Sequence, residues 1–201
     1  MLRWWDCSAS GSDESAPIGD PGHFPDADHG YRRYDEWYDP VTGLPRPRCF
    51  LEHLERLLAT ADGCQRSVAM LLLEVADLDL LEVQHGEPCC DELLRTIAER
   101  LHEEVPEPSL VTRLDGGTFA IVLHDLGPGV APDTVATHLF ERAGEPCPTG
   151  DGHVKCAVVG GLAEPGDQAE QALQLFDRAT RALARAKLRK AGQVRRDLSL
   201  Y

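Results

Sequence analysis

The chain has 201 residues, 42% of them apolar and 27% charged, which suits one globular domain of roughly 150 residues plus a tail. Lys and Arg number 20 against 34 Asp and Glu, and the formal charge of −14 repels phosphate backbones and anionic headgroups, so neither nucleic acid nor a membrane surface is an expected partner. No apolar run reaches the ~18–20 residues that span a bilayer.

Residues 1–36 are rich in Ser, Gly, Pro and Asp, with eight acidic residues against Arg3, Arg32 and Arg33. Such a stretch buries too little apolar area to offset its ordering entropy, and reads as a flexible acidic N-terminal tail preceding a domain over 37–201. Trp4, Trp5 and Trp37 offer a second reading, a docking segment. The start Met1-Leu-Arg-Trp-Trp-Asp6 lacks an apolar h-region and a small-residue cleavage site, so the expected location is cytoplasmic.

Asp39-Pro-Val-Thr-Gly-Leu-Pro45 is turn chemistry. Helical spacing of Phe50, Leu51, Leu54, Leu57 and Leu58 predicts a helix over 49–61. The near-continuous apolar run 67–75 predicts a central strand buried on both faces. Helices are expected over 78–86 and 89–104, the second with Leu93, Leu94, Ile97, Ala98 and Leu101 as its stripe. The β-rich runs 110–114 and 118–123 flank Asp115-Gly116-Gly117, a strong hairpin signal because these residues tolerate positive φ. A helix near 131–143, a strand near 153–162, a helix over 167–190 and a strand near 193–199 complete the order. The fold class is α+β, a mixed central sheet flanked by helices.

The seven cysteines, at 7, 49, 64, 89, 90, 147 and 156, form no C-x-x-C pair. His85 and Cys89, four apart, could share a helix face and a metal ion. The alternative is free, packed thiols in a reducing compartment.

Four segments in register carry a resemblance to the GGDEF domain of bacterial diguanylate cyclases. Asp39-Pro-Val-Thr-Gly-Leu-Pro45 is similar to the family's D-x-L-T-G-L-P-N-R opening, although Arg46-Pro47 departs from it. Leu71 to Asp79 stands where the family has a strand ending D-I-D-x-F-K. Arg113-Leu-Asp-Gly-Gly-Thr-Phe119 stands at R-x-G-G-[DE]-E-F, and Ala179 to Lys187 is similar to the A-D-x-A-L-Y-x-A-K helix. The resemblance implies the nucleotidyl-cyclase-like, ferredoxin-like palm, and a site where two metal ions bridge GTP and an attacking 3′-hydroxyl.

Position by position, that site is altered. The first metal carboxylate falls on Glu74, whose longer arm displaces an octahedral ion, and the second on Ala76. The signature remnant is Asp115, Gly116, Gly117, Thr118 and Phe119, so Gly117 stands where a metal-binding carboxylate is needed and Asp115 takes a glycine position beside the triphosphate. The two guanine-reading residues fall on Glu82, which cannot donate to O6, and Asp91, which can still accept from guanine. The other reading of Asp91 is an exposed acid in the first turn of a helix. The family's F-K lysine is reversed to Asp79, while Lys187 matches its A-K lysine for phosphate. Residues 177–196 hold eight of the 20 basic residues, either an anion site or a solvated helix face. The inhibitory R-x-x-D falls on Pro106 and Ser109, so product binding there is not expected.

These departures predict a degenerate GGDEF domain with no catalytic residues and no cofactor, taking Mg²⁺ only if GTP binds. Three functions stay open. One is a regulatory or scaffolding module that contacts a protein partner in cyclic di-GMP signalling. Another is a GTP sensor using Asp91 and Lys187. The last is a weak cyclase using Glu74 and Asp115, whose rate Gly117→Asp with Thr118→Glu would raise. Pairing of two domains face to face, as a homodimer, is implied by the resemblance alone.

Overall fold

The computed structural model describes residues 37–61, 68–105, 109–127, 129–150, 152–165 and 172–188. The expected tail over 1–36 and strand near 193–199 lie outside the described residues.

The opening turn is self-bonded. Thr42 donates its N–H and Oγ1–H to Asp39 Oδ1 at 2.9 and 2.7 Å, and Gly43, at φ +70°, donates its N–H to the Asp39 carbonyl at 2.8 Å. Leu44 is thereby driven into the core at 1% exposure. Helix α1 (Pro47–Ala61) follows, its proline suited to a first turn whose N–H has no partner to lose. Phe50, Leu54, Leu57 and Leu58 form its buried stripe.

Strand β1 (Val68–Val75) runs through the middle of a four-stranded sheet, and its near-continuous apolar sequence is buried on both faces as expected. It is followed by α2 (Leu78–His85), α3 (Glu87–Glu104), β2 (Leu110–Asp115) and β3 (Thr118–His124). Then come α4 (Pro132–Ala143), the short strands β4 (Cys147–Thr149) and β5 (Gly152–Val154), β6 (Val158–Ala163) and α5 (Ala172–Leu188). The sheet order is β2-β3-β1-β6, with every ladder antiparallel, and β4-β5 form a separate ribbon.

Strand alternation sorts the core into two layers. Ala69, Leu71, Leu73 and Val75 face α2, α3 and α4, while Val68, Met70 and Leu72 face α1 and α5. Helices thus cover both faces of one antiparallel sheet, the expected α+β arrangement. No helix among the described residues is long and apolar enough to cross a membrane.

Three local expectations are corrected. The strand expected near 153–162 is two elements, β5 and β6, separated by residues 155–157, where Ala157 donates its N–H to Asp77 Oδ1 at 2.9 Å and accepts from Ala76 N–H at 2.8 Å. Helix α3 starts at Glu87 with Pro88 in its first turn, so Asp91 lies in the second turn, beyond the strongest helix-terminal field. His85 and Cys89 fall on different helices across Gly86, at φ +83°, and do not share a face.

Close packing at β6 depends on two glycines. A Cβ on Gly161 would lie 2.2 Å from the Leu183 backbone nitrogen, and one on Gly160 would lie 1.9 Å from Phe140 Cζ. Their missing side chains let α5 and α4 rest directly on the strand from opposite sides.

Candidate functional site

The signature residues form the β2–β3 turn. Gly116, at φ +43°, makes the reversal, and the ladder register shifts between Arg113 and Asp115. Arg113 fixes the turn from behind: its Nε–H donates to the Gly116 carbonyl at 2.8 Å and its Nη1 to Asp39 Oδ1 at 3.0 Å. Burial acts to raise the Asp39 pKa, but the hydrogen bonds from Thr42 and the Arg113 guanidinium outweigh it and hold the carboxyl below its ordinary range. Arg113 and Asp39 therefore join two segments 74 positions apart.

Asp115 and Gly116 are exposed, whereas Phe119 is fully buried opposite Leu73 as a core residue. Gly117 is buried, and its carbonyl accepts the Val75 N–H at 3.0 Å. A Cβ placed there would lie 3.0 Å from Val75 Cβ and 3.2 Å from Leu78 Cδ2. The position lacks a carboxylate, and a side chain added there would need Val75 and Leu78 to give by a few tenths of an ångström.

Glu74 lies in register between Thr118 on β3 and Val159 on β6. Its place in the strand alternation turns it toward the α1–α5 face, where Lys187 Nζ donates to Oε1 at 2.8 Å and Oε2 at 3.0 Å. The Glu74 side chain is 19% exposed and that of Lys187 50%. The two residues expected separately at metal and phosphate are brought together and neutralise each other. Ala76 is exposed, and the adjacent carboxylate, Asp77, is engaged by the Ala157 N–H. No group of three or more His, Cys, Asp or Glu among the described residues is placed to hold a metal ion. With Glu74 bonded through both oxygens to an ammonium and Gly117 crowded by apolar atoms, these residues do not fit the divalent ions that the family resemblance implies.

Glu82 is exposed on α2 and Asp91 is half-buried on α3. Both sit close enough to Cys90 to act on its thiol, which burial pushes up and the charges of Cys89, Glu82 and Asp91 push further. Of the basic stretch, Arg181 pairs with Asp177 and Lys187 with Glu74, while Arg189, Lys190, Arg195 and Arg196 lie outside the described residues. Ser109 is committed to the backbone of His124, accepting its N–H at 3.0 Å, and Pro106 is not described.

Sequence reasoning missed the structural uses of Asp39, Arg113 and Asp77. Asp39 and Arg113 stood in the quoted segments, and their matching charges were the available signal. Asp77 carried none, because its partner is a backbone N–H 80 positions away.

Residues 36–193 match the family described as diguanylate cyclase, GGDEF domain. The signaling protein YkoW of Bacillus subtilis (strain 168) is 26% identical over 159 residues, covering 79% of this chain and 20% of that protein. Diguanylate cyclase TpbB of Pseudomonas aeruginosa is 27% identical over 159 residues, covering 79% of this chain and 37% of that one. The chain thus spans between a fifth and two-fifths of the length of these relatives. The solved GGDEF domain of TpbB superposes with a TM-score of 0.72 at 27% identity, covering 77% of this chain and 91% of that domain. Its antiparallel sheet, its signature turn and these matches place the chain in the GGDEF family, the diguanylate-cyclase domain of cyclic di-GMP signalling proteins.

Proposed function

We propose that this chain is a non-catalytic GGDEF domain that serves cyclic di-GMP signalling as a regulatory or scaffolding module through protein contact. The observation that carries the reading is Gly117, which puts no carboxylate at the position where the family has a metal-binding acid and which lies against Val75 and Leu78. Phosphoryl transfer between two triphosphates relies on metal ions to neutralise developing charge, and each lost ligand removes several kcal/mol of that stabilisation. Here Ala76 and Gly117 supply no ligand, and Asp79 adds negative charge where the family has a lysine.

Incubating the pure chain with Mg-GTP or Mn-GTP tests this directly. No cyclic di-GMP above the protein-free blank is expected. Steady, protein-dependent product would replace the reading with that of a weak cyclase using Glu74 and Asp115.

A second reading, a GTP-binding sensor, rests on Asp91, which is half-buried on α3 and can still accept from guanine. Calorimetric titration of GTP separates the two. Saturable heat that Asp91→Ala abolishes supports the sensor, and a flat trace supports protein contact alone.

A further inference from the structure

We propose that Lys187 is the resident counter-ion of Glu74, a tethered ammonium that takes the place of a divalent cation and makes this end of the sheet independent of metal. The proposal rests on the non-catalytic reading and deepens it, since it names what occupies the site instead.

A carboxylate four-fifths buried at the end of a central strand needs a compensating charge, because desolvation penalises the bare anion. The backbone N–H groups of neighbouring strands are already spent in the ladders on either side. The fold supplies the charge from within the chain. Lys187 Nζ reaches both oxygens of Glu74, at 2.8 and 3.0 Å, and so holds the position between them where a chelated cation would sit. A metal ion would have to displace the ammonium first.

The position of Lys187 is not left to a flexible arm alone. Gly161, two residues beyond the Glu74 partner Val159 on β6, admits the α5 backbone at Leu183 to closest approach. Lys187 follows Leu183 by one helical turn and so stands above Glu74. Lysine also suits the role chemically, as a compact point charge on a long stem that packs along the helix while its head reaches the carboxylate.

Thermal midpoints test the pair without any reference to activity. In EDTA, Lys187→Met should lower the midpoint by about 2–4 °C, and the double variant Glu74→Gln with Lys187→Met should recover most of that loss. Millimolar Mg²⁺ or Mn²⁺ should leave the wild type unchanged, should restore Lys187→Met, whose Glu74 has lost its partner, and should do nothing for the double variant. Mn²⁺ paramagnetic resonance should report more bound ion in Lys187→Met than in the wild type or the double variant.

Strictly additive losses in EDTA, read with Glu74→Gln alone as the fourth arm of the cycle, would overturn the proposal, as would a wild type that Mg²⁺ stabilises or that binds as much Mn²⁺ as Lys187→Met. Failure of the non-catalytic reading shows separately, as cyclic di-GMP made by the wild type. A coupled cycle in EDTA alongside such product supports the pair and refutes only that reading. An additive cycle with no product does the reverse.

Discussion

Arg113 Nη1 and Asp39 Oδ1 stand 3.0 Å apart with both side chains more than four-fifths buried, and the same guanidinium holds the Gly116 carbonyl. One ion pair therefore fixes the signature turn relative to the opening turn, and neither turn is held by its own residues alone.

Asp39 accepts from Thr42 twice and from Arg113 once, so Asp39→Ala should cost about 2–3 kcal/mol through the donors it strands. Asp39→Asn keeps the shape but loses the charge, and should fall between. Urea unfolding of the two variants against wild type gives both values. Wild-type stability in Asp39→Ala would show the pair to be ornamental.

The sign of the pH dependence follows from the same group. The folded carboxyl titrates below its unfolded value, so its contribution is fully present above the unfolded pKa and is lost as pH falls through the folded one. Wild type should lose stability on acidification below the ordinary Asp range more steeply than Asp39→Asn. Parallel acid limbs in the two proteins would contradict this.

Grafting the family's acidic pair back, as Gly117→Asp with Thr118→Glu, should fail to produce cyclic di-GMP. The new Cβ at residue 117 starts 3.0 Å from Val75 Cβ and 3.2 Å from Leu78 Cδ2, so both must shift. A loss of about 1–2 kcal/mol is expected from this overpacking. Product from the grafted protein would mean that β1 and α2 relax to rebuild the site.

Gly161→Ala should be far more damaging, by about 3 kcal/mol or more, because its Cβ would meet the backbone of α5 rather than the end of a side chain. Circular dichroism melting reads the loss. A tolerated alanine would show that α5 can lift from β6.

Burial pushes the Cys156 thiol up to about 12 and raises that of Cys147 as well. At mild alkaline pH neither should form the thiolate that alkylates. Iodoacetamide labelling mapped by mass spectrometry should find both protected in the native protein and modified in denaturant. Rapid native labelling of Cys156 would place it nearer solvent than the fold does.

Most of the fold was legible because its signals are local. The apolar run of β1, the stripe of α3 and the Asp-Gly-Gly reversal each specify an element within one short window, and each appears within two residues of its expected bounds. The ribbon of β4 and β5 was not legible, since three-residue strands carry no period and their end is set by Asp77, far away in the chain. The site divides in the same way. The loss of carboxylates at Ala76 and Gly117 is written in the residues themselves. The union of Glu74 with Lys187 spans 113 positions and depends on a glycine in a third element, so only the folded chain reveals it.

The opening segment has one more effect, on how the protein meets copies of itself. Leu44 packs with the α3 face of the sheet and Phe50 with the α5 face, so the chain between them wraps round β2, the outermost strand on that side. Pro45 accepts a hydrogen bond from Thr112 of β2 and bridges to Tyr38, tying the wrap down. An open strand border invites another chain to add itself, the first step toward fibres. Here the residues that seat the signature turn also run beside that border, tied to β2 through Thr112 and Arg113, so a strand added there would have to contend with the opening segment.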